Sequence, residues 1–416
     1  MKVAMPVAIA AVVLAAVLPG PTDGRVRLHA AVDARTPAPR LRHEPAPATR
    51  PTTPSGGLRV PPSPSAATAT YEMMARRWNI RQGAVPSPTA AHPDAAAPST
   101  RAAAAPAAAA VQTPYVTACG TSLCLHGAPW HLYGATIYSG YDDPVGRIAL
   151  AKQAGLNTLR LVNFIDPADT MSDLSVAKNW LRLDKMIADA QQQGLKVILD
   201  LSDYRNLLVK SGLNPYTIDW APFLALVAGR HNTVTGVRYA NDPTIALVSL
   251  AGEVEPINSP KNILHVTTSQ VTDFFRRTFA EWHTVDPNHL VSTGGLGQLD
   301  WPSGVDWKSI MALPGDDVCT IIIYGESTTT TVPPLIGRYC SSAGRPWITE
   351  EFGTPIENGD AARAAAYTRI MRVNKANGSA GTAFWNLGPE TIPASFDVNP
   401  SSPLLWQAVL ANAPRS

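Results

Sequence analysis

The stretch TIALVSLAGEVEP, Thr244 to Pro256, decides the fold. It opens with a run of small, β-branched and aliphatic residues, the pattern of a strand buried on both faces. The run ends by presenting a carboxylate, Glu253, where the strand stops. RPWITEEFG, Arg345 to Gly353, repeats the arrangement: a short apolar strand beginning at a proline, then Glu350, Glu351, an aromatic and a glycine. Two buried strands that each end in glutamate are candidates for a pair of catalytic carboxylates.

Outward from these two, six further runs share the same texture: HLYGATI from His131, NTLRLVN from Asn157, LKVILDL from Leu195, HLVSTGG from His289, VCTIIIY from Val318 and GTAFWN from Gly381. Stretches of helical period separate them. In VAKNWLRLDKMIADAQQQG, Trp180, Leu183, Ile187 and Ala190 form one apolar face and Gly194 marks the stop, and ARAAAYTRIMRVNKANG ends the same way at Gly378. Eight strands alternating with helices predict an α/β fold, a (β/α)8 TIM barrel over residues 113–416, whose working face lies at the strand C-terminal ends. Both carboxylate stretches end there.

Strand residues alternate between barrel interior and helix layer. With Val248 and Leu250 toward the helices, Ser249 and Glu253 look inward. Taking Ile348 as helix-facing sends Glu351, not Glu350, into the barrel mouth. The same parity points Arg160, Asp200, Ser202, Tyr324 and Trp385 inward. Glu253 and Glu351 then stand on the fourth and seventh barrel strands, across the mouth from each other. Two carboxyl groups about 5 Å apart suit retaining glycoside hydrolysis, one as nucleophile and the other as acid/base. An arginine and a tyrosyl hydroxyl beside one of them would keep it ionised. A cap or salt-bridge role is the alternative for either glutamate taken singly.

The chain has 416 residues, 45% hydrophobic and 16% charged, with a net charge of +2. That balance, without basic runs interleaved with aromatics, argues against nucleic acid as a partner. Residues 1–20 read as a signal peptide, with Lys2 ahead of the apolar run Val3 to Leu18, or as an uncleaved N-terminal anchor. Residues 21–112, rich in Ala and Pro, read as a disordered linker. Tyr71 to Gly83 interrupts it as a short helix, a docking peptide or a less biased patch of linker. The chain is expected outside the cell, secreted or tethered to the envelope, and monomeric. Cys119 with Cys124, and Cys319 with Cys340, make two local disulfides the simplest pairing; zinc is the competing reading, against which the absence of paired CxxC spacing counts. No cofactor or metal is called for.

From about Tyr115 to the C-terminus the chain resembles glycoside hydrolase family 5, the cellulase and endo-β-mannanase family, and its mannanase side in particular. HNTVTGVRYANDPTIALVSLAGEVEP resembles the family's acid/base segment, VDPNHLVSTGGLG its fifth-strand motif, RPWITEEFG its nucleophile strand and GTAFWNLG its eighth strand. The resemblance implies Glu253 as acid/base, Glu351 as nucleophile, Arg160 and Tyr324 as supports of the nucleophile, and Trp385 as a stacking floor under the sugar. It implies a two-glutamate retaining hydrolase of a β-1,4-linked polysaccharide, mannan before cellulose-like glucan. A non-catalytic glycan-binding protein on the same scaffold is the rival.

The chain departs from the family at three positions: Gly252 where the family has an Asn reading the sugar 2-hydroxyl, Ile322 where it has His, and Ser202 where it commonly has His. Glu255 is a second acidic residue beside the acid/base position. Tyr138, Tyr141, Tyr204, Trp301 and Trp307 are candidate sugar platforms on the loops, with packing as the alternative, and Asp142, Asp143 and Asn206 are candidate polar contacts.

Overall fold

A computed structural model describes residues 113–414, apart from 139–140, 142, 163, 166–176, 260–261, 298, 301 and 392–393. The expectations for residues 1–20 and 21–112, for the Tyr71 island, and for Asp142 and Trp301 lie outside the described residues.

The described part opens with three short antiparallel strands, β1 (Val116–Cys119), β2 (Ser122–Leu125) and β3 (Ala128–Trp130). Gly120, at φ +66°, makes the first turn possible, and a disulfide joins Cys119 to Cys124 across it. Val116 and Leu123 are buried with Leu132, Ile198, Ala246, Val318, Ile348 and Ala380, which stand at or near the starts of the following strands. The small sheet therefore closes the end of the barrel opposite the strand C-termini.

Eight parallel strands follow: β4 (Leu132–Ile137), β5 (Thr158–Leu161), β6 (Lys196–Asp200), β7 (Ile245–Ser249), β8 (Leu290–Ser292), β9 (Cys319–Ile323), β10 (Trp347–Phe352) and β11 (Gly381–Phe384). Their order around the sheet is β8-β7-β6-β5-β4-β11-β10-β9. The seam between β8 and β9 is closed by Leu296, whose N–H donates to Thr320 O (3.0 Å) and whose carbonyl accepts from Ile322 N (3.1 Å). All eight expected runs are strands, and the expected (β/α)8 barrel is the observed fold. The three-stranded sheet at its base was not among the expectations.

The helices form where the apolar period predicts them. Ala177–Gln192 buries Trp180, Leu183, Ile187 and Ala190 and stops at Gly194, φ +68°. Asp360–Ala376 stops at Gly378, φ +75°. Thr268–Val285 begins with a capping box between Thr267 and Gln270, which satisfies two N-terminal donors. Strand residues Leu159, Leu161, Val197, Leu199, Val248, Ile321 and Ile323 face these helices in one apolar layer. The opposite parity, Arg160, Asp200, Ser249 and Thr320, is left to the barrel interior. All four cysteines are disulfide-bonded, with Cys319–Cys340 tying β9 to the helix Glu326–Ser342, which removes the zinc reading for them.

Candidate active site

Strand β10 sets the site. The sequence reading turns Ile348 toward the helices, but the structure corrects this. Ile348 lies in the interior cluster with Leu132 and Ala383, while Trp347 and Thr349 face outward. Trp347 Nε1 donates to Asn377 O (3.1 Å), and Asn374 Nδ2 donates to Thr349 Oγ1 (2.8 Å). Alternation alone would then send Glu350 inward and Glu351 out. A β-bulge reverses the second half of that: Thr349 pairs with Ile321 and Glu351 with Ile322, so Glu350 is the extra residue. Both consecutive carboxylates end up inside the barrel.

Arg160, on β5 and only 3% exposed, collects them. Its Nη1 donates to Glu351 Oε2, its Nη2 and Nε to Asp200 Oδ2 (2.7 and 3.1 Å), and its Nε lies 3.3 Å from Glu350 Oε1. Tyr324, just past the end of β9, donates its hydroxyl to Glu351 Oε1 at 2.7 Å. Both oxygens of Glu351 are thus held, one by a cation and one by a phenol. Burial is the largest influence on Glu351 and pushes its carboxyl up; Arg160 opposes it, the charge of Glu253 adds to it, and the result is about 7. Tyr324 is held well above its ordinary range by burial first, then by Glu351 and Glu253, and so stays a donor.

Glu253 lies beyond the last residue of β7, but pairing with the β8 side continues to it. Leu250 N donates to Ser292 O (3.1 Å), Ala251 N to Thr293 O (2.9 Å) and Glu253 N to Gly295 O (2.9 Å). That last bond anchors Glu253 in the left-handed region, φ +55°, which a residue with a side chain rarely adopts. The side chain is exposed at the mouth, and its charge acts on Glu351 and Tyr324. The charge of Glu255 acts instead on Tyr216. Of the two acidic residues in this stretch, Glu253 is the one in the field of Glu351.

The loop after β8 packs against both Gly252 and Ile322. A Cβ on Gly252 would sit 1.8 Å from Gly294 O, and one on Gly295 would sit 2.6 Å from Ile322 Cγ1. The loop after β8 passes directly against the Glu253 segment, so no side chain fits at 252. Ser202 turns to Asp200, to which both its N–H (2.8 Å) and its hydroxyl donate.

Trp385, which follows β11, is half-buried, and Tyr138, which follows β4, is 37% exposed; their rings lie 5.0 Å apart, and Tyr138 N donates to Asn386 Oδ1 (3.3 Å). Tyr324 meets Phe396 edge-on at 5.9 Å. Sequence reasoning passed over Phe396 because it lies on an irregular loop. That loop is clamped by buried Arg363, which donates to Thr354 O (3.0 Å), Phe396 O (3.0 Å) and Asp397 O (2.8 Å). The remaining candidates have packing or capping partners. Tyr141 donates to Val162 O (2.6 Å), Tyr204 stacks on Phe223 at 4.1 Å, Trp307 packs against Tyr339, Asp143 caps the helix Pro144–Gln153, and Asn206 accepts from Arg205. Among the described residues, no group of three or more His, Cys, Asp or Glu side chains could hold a metal ion.

No family model matches the chain. The curated proteins it is similar to are mannan endo-1,4-beta-mannosidases. It is 24% identical to the probable mannan endo-1,4-beta-mannosidase F of Emericella nidulans, over 50% of this chain and 51% of that protein. It is 24% identical to mannan endo-1,4-beta-mannosidase A of Podospora anserina, over 54% and 64%, and to mannan endo-1,4-beta-mannosidase 1 of Oryza sativa subsp. japonica, over 66% and 78%. The chain therefore spans about half to two thirds of the length of the first two. Among solved structures, the endo-1,4-beta-mannanase from Rhizomucor miehei matches with a TM-score of 0.61 at 23% identity, over 72% of this chain and all of that one. The glycoside hydrolase family 5 mannosidase from the same organism matches with a TM-score of 0.54 at 14% identity, over 72% and 97%. The barrel is the fold these solved structures share, and in sequence the chain is similar to mannan endo-1,4-beta-mannosidases.

Proposed function

We propose that this protein is a retaining β-glycosidase that cleaves a β-1,4-linked polysaccharide, with mannan as its first substrate and cellulose-like glucan as its second. The observation that carries the reading is the environment of Glu351: a buried carboxylate with Arg160 on one oxygen and Tyr324 on the other, in the field of an exposed Glu253. Its similarity to mannan endo-1,4-beta-mannosidases supports mannan.

The charge of Glu253 raises the proton affinity of Glu351. Arg160 and Tyr324 favour the ionised form of Glu351, the form that attacks, and Glu253 stands at the mouth as the proton donor to the leaving oxygen. Glu351 attacks the anomeric carbon while Glu253 gives its proton to the leaving oxygen. Glu253 then takes a proton from water, the hydroxide so formed displaces Glu351, and the sugar leaves with its configuration retained. Trp385 and Tyr138 supply an aromatic floor for the apolar face of a sugar ring. Export to the cell exterior, in keeping with the two disulfides, is part of the same proposal.

The test is incubation of the purified protein with mannan, glucomannan, carboxymethyl cellulose and aryl β-glycosides, beside Glu253→Gln and Glu351→Gln. Mannan cleavage is expected, with each variant slowed by about 10²–10⁴-fold or more. Glycan binding without cleavage of any substrate would replace this reading with that of a binding protein.

A further inference from the structure

Glu350 has no role in the two-glutamate scheme, yet it is fully buried, adjacent to Glu351 and turned into the same barrel interior. Around Arg160, one cation faces three carboxyl groups, Asp200, Glu350 and Glu351, each 4% exposed or less. If all three were ionised, this buried cluster would carry two uncompensated negative charges, each costing several kcal/mol.

The donors are not shared equally. Asp200 receives two guanidinium bonds and two more from Ser202. Glu351 receives Arg160 and Tyr324. Glu350 Oε1 meets the Ser249 hydroxyl and lies 3.3 Å from an Arg160 Nε that already donates to Asp200; the Thr320 hydroxyl also favours its charged form, but its Oε2 is buried and makes no hydrogen bond. Glu350 is the member least equipped to hold a charge.

It is also the start of a chain of contacts between the two catalytic strands. Ser249 Oγ lies 3.4 Å from Ser292 Oγ, and Ser292 Oγ accepts from Gly294 N at 3.2 Å. Gly294 is the residue packed against Gly252, immediately before Glu253. The line Glu350, Ser249, Ser292, Gly294 thus runs from the bulge beside the nucleophile to the backbone beside the acid/base.

We propose that Glu350 is a positioning residue that keeps its proton in the working protein and, as a neutral carboxylic acid, braces the Glu351 bulge against the Glu253 segment through Ser249 and Ser292. Burial raises its proton affinity and Asp200 adds to this, against Arg160 and hydroxyl donors. A neutral group here ties the strands together without adding a negative charge beside Glu351, which must be ionised to attack.

The inference rests on the glycosidase reading for its catalytic consequence but not for the protonation itself, so two measurements separate them. Difference infrared spectroscopy of the whole protein against Glu350→Gln, at the pH where the wild type is most active, is expected to show a protonated-carboxyl band that the variant lacks. In kinetics, Glu350→Ala is expected to lower kcat about tenfold or more with little change in KM, and Glu350→Gln to restore most of that loss with the acid limb of kcat/KM unmoved. Absence of the band, or an acid limb displaced to lower pH in Glu350→Gln, would overturn the proposal, because either result means that Glu350 carries a charge. A wild type that shows the band but cleaves nothing would overturn the glycosidase reading alone.

Discussion

At the scale of single residues, the most constrained contact in the site is between two glycines. Because a Cβ on Gly252 meets Gly294 O at 1.8 Å, an asparagine at 252 would have to displace the loop that anchors Glu253 N. Gly252→Asn is therefore expected to destabilise the protein by about 1–3 kcal/mol, the range of an overpacked core, and to lower kcat/KM instead of adding a sugar contact. Thermal unfolding and steady-state kinetics on the same preparation check this. Glu351 gives a second prediction. It must be ionised to attack, and its carboxyl titrates near 7, so kcat/KM of the free protein is expected to fall about tenfold per pH unit as pH drops below about 7. Tyr324 donates to Glu351 and favours its ionised form. Tyr324→Phe should therefore move this acid limb upward by about half a unit to one unit, and a pH–rate profile of the two proteins reads the shift.

At the scale of elements, β10 shows what alternation can and cannot tell. The parity argument placed Glu351 inside the barrel, where the structure has it, from a mistaken premise about Ile348. The period of two was sound, but a bulge adds a residue without any mark in the local sequence; only the pairing with Ile321 and Ile322 displays it. The doublet Glu350–Glu351 was the one visible hint, since two adjacent carboxylates on a buried strand cannot both obey alternation and both avoid the interior. Helices were easier to read because their apolar faces and terminal glycines are local features. Next to β10, the Cys319–Cys340 disulfide joins the start of β9, the strand whose far end leads into Tyr324, to its following helix. Replacing both cysteines by alanine should cost about 3 kcal/mol, from the entropy of a 21-residue separation, visible as a lower Tm.

At the scale of the whole molecule, the barrel was legible because eight buried parallel strands each leave an uninterrupted apolar run, and the helices between them leave a different period. The small sheet β1–β3 was not. Its strands are three or four residues long and only partly buried, so their only strong signals are a glycine turn and a cysteine pair. Nor was Phe396 visible, since its placement depends on Arg363 reaching across from another element. What the barrel does is bring Arg160 from β5, Tyr324 from β9 and two glutamates from β10 onto one point, with Glu253 above it. The central claim is that Glu351 attacks the sugar carbon directly, and the configuration of the newly released end reports it. Proton NMR of the first product formed from a β-mannan, before mutarotation, should show the β-anomer; an α-anomer appearing first would contradict the account.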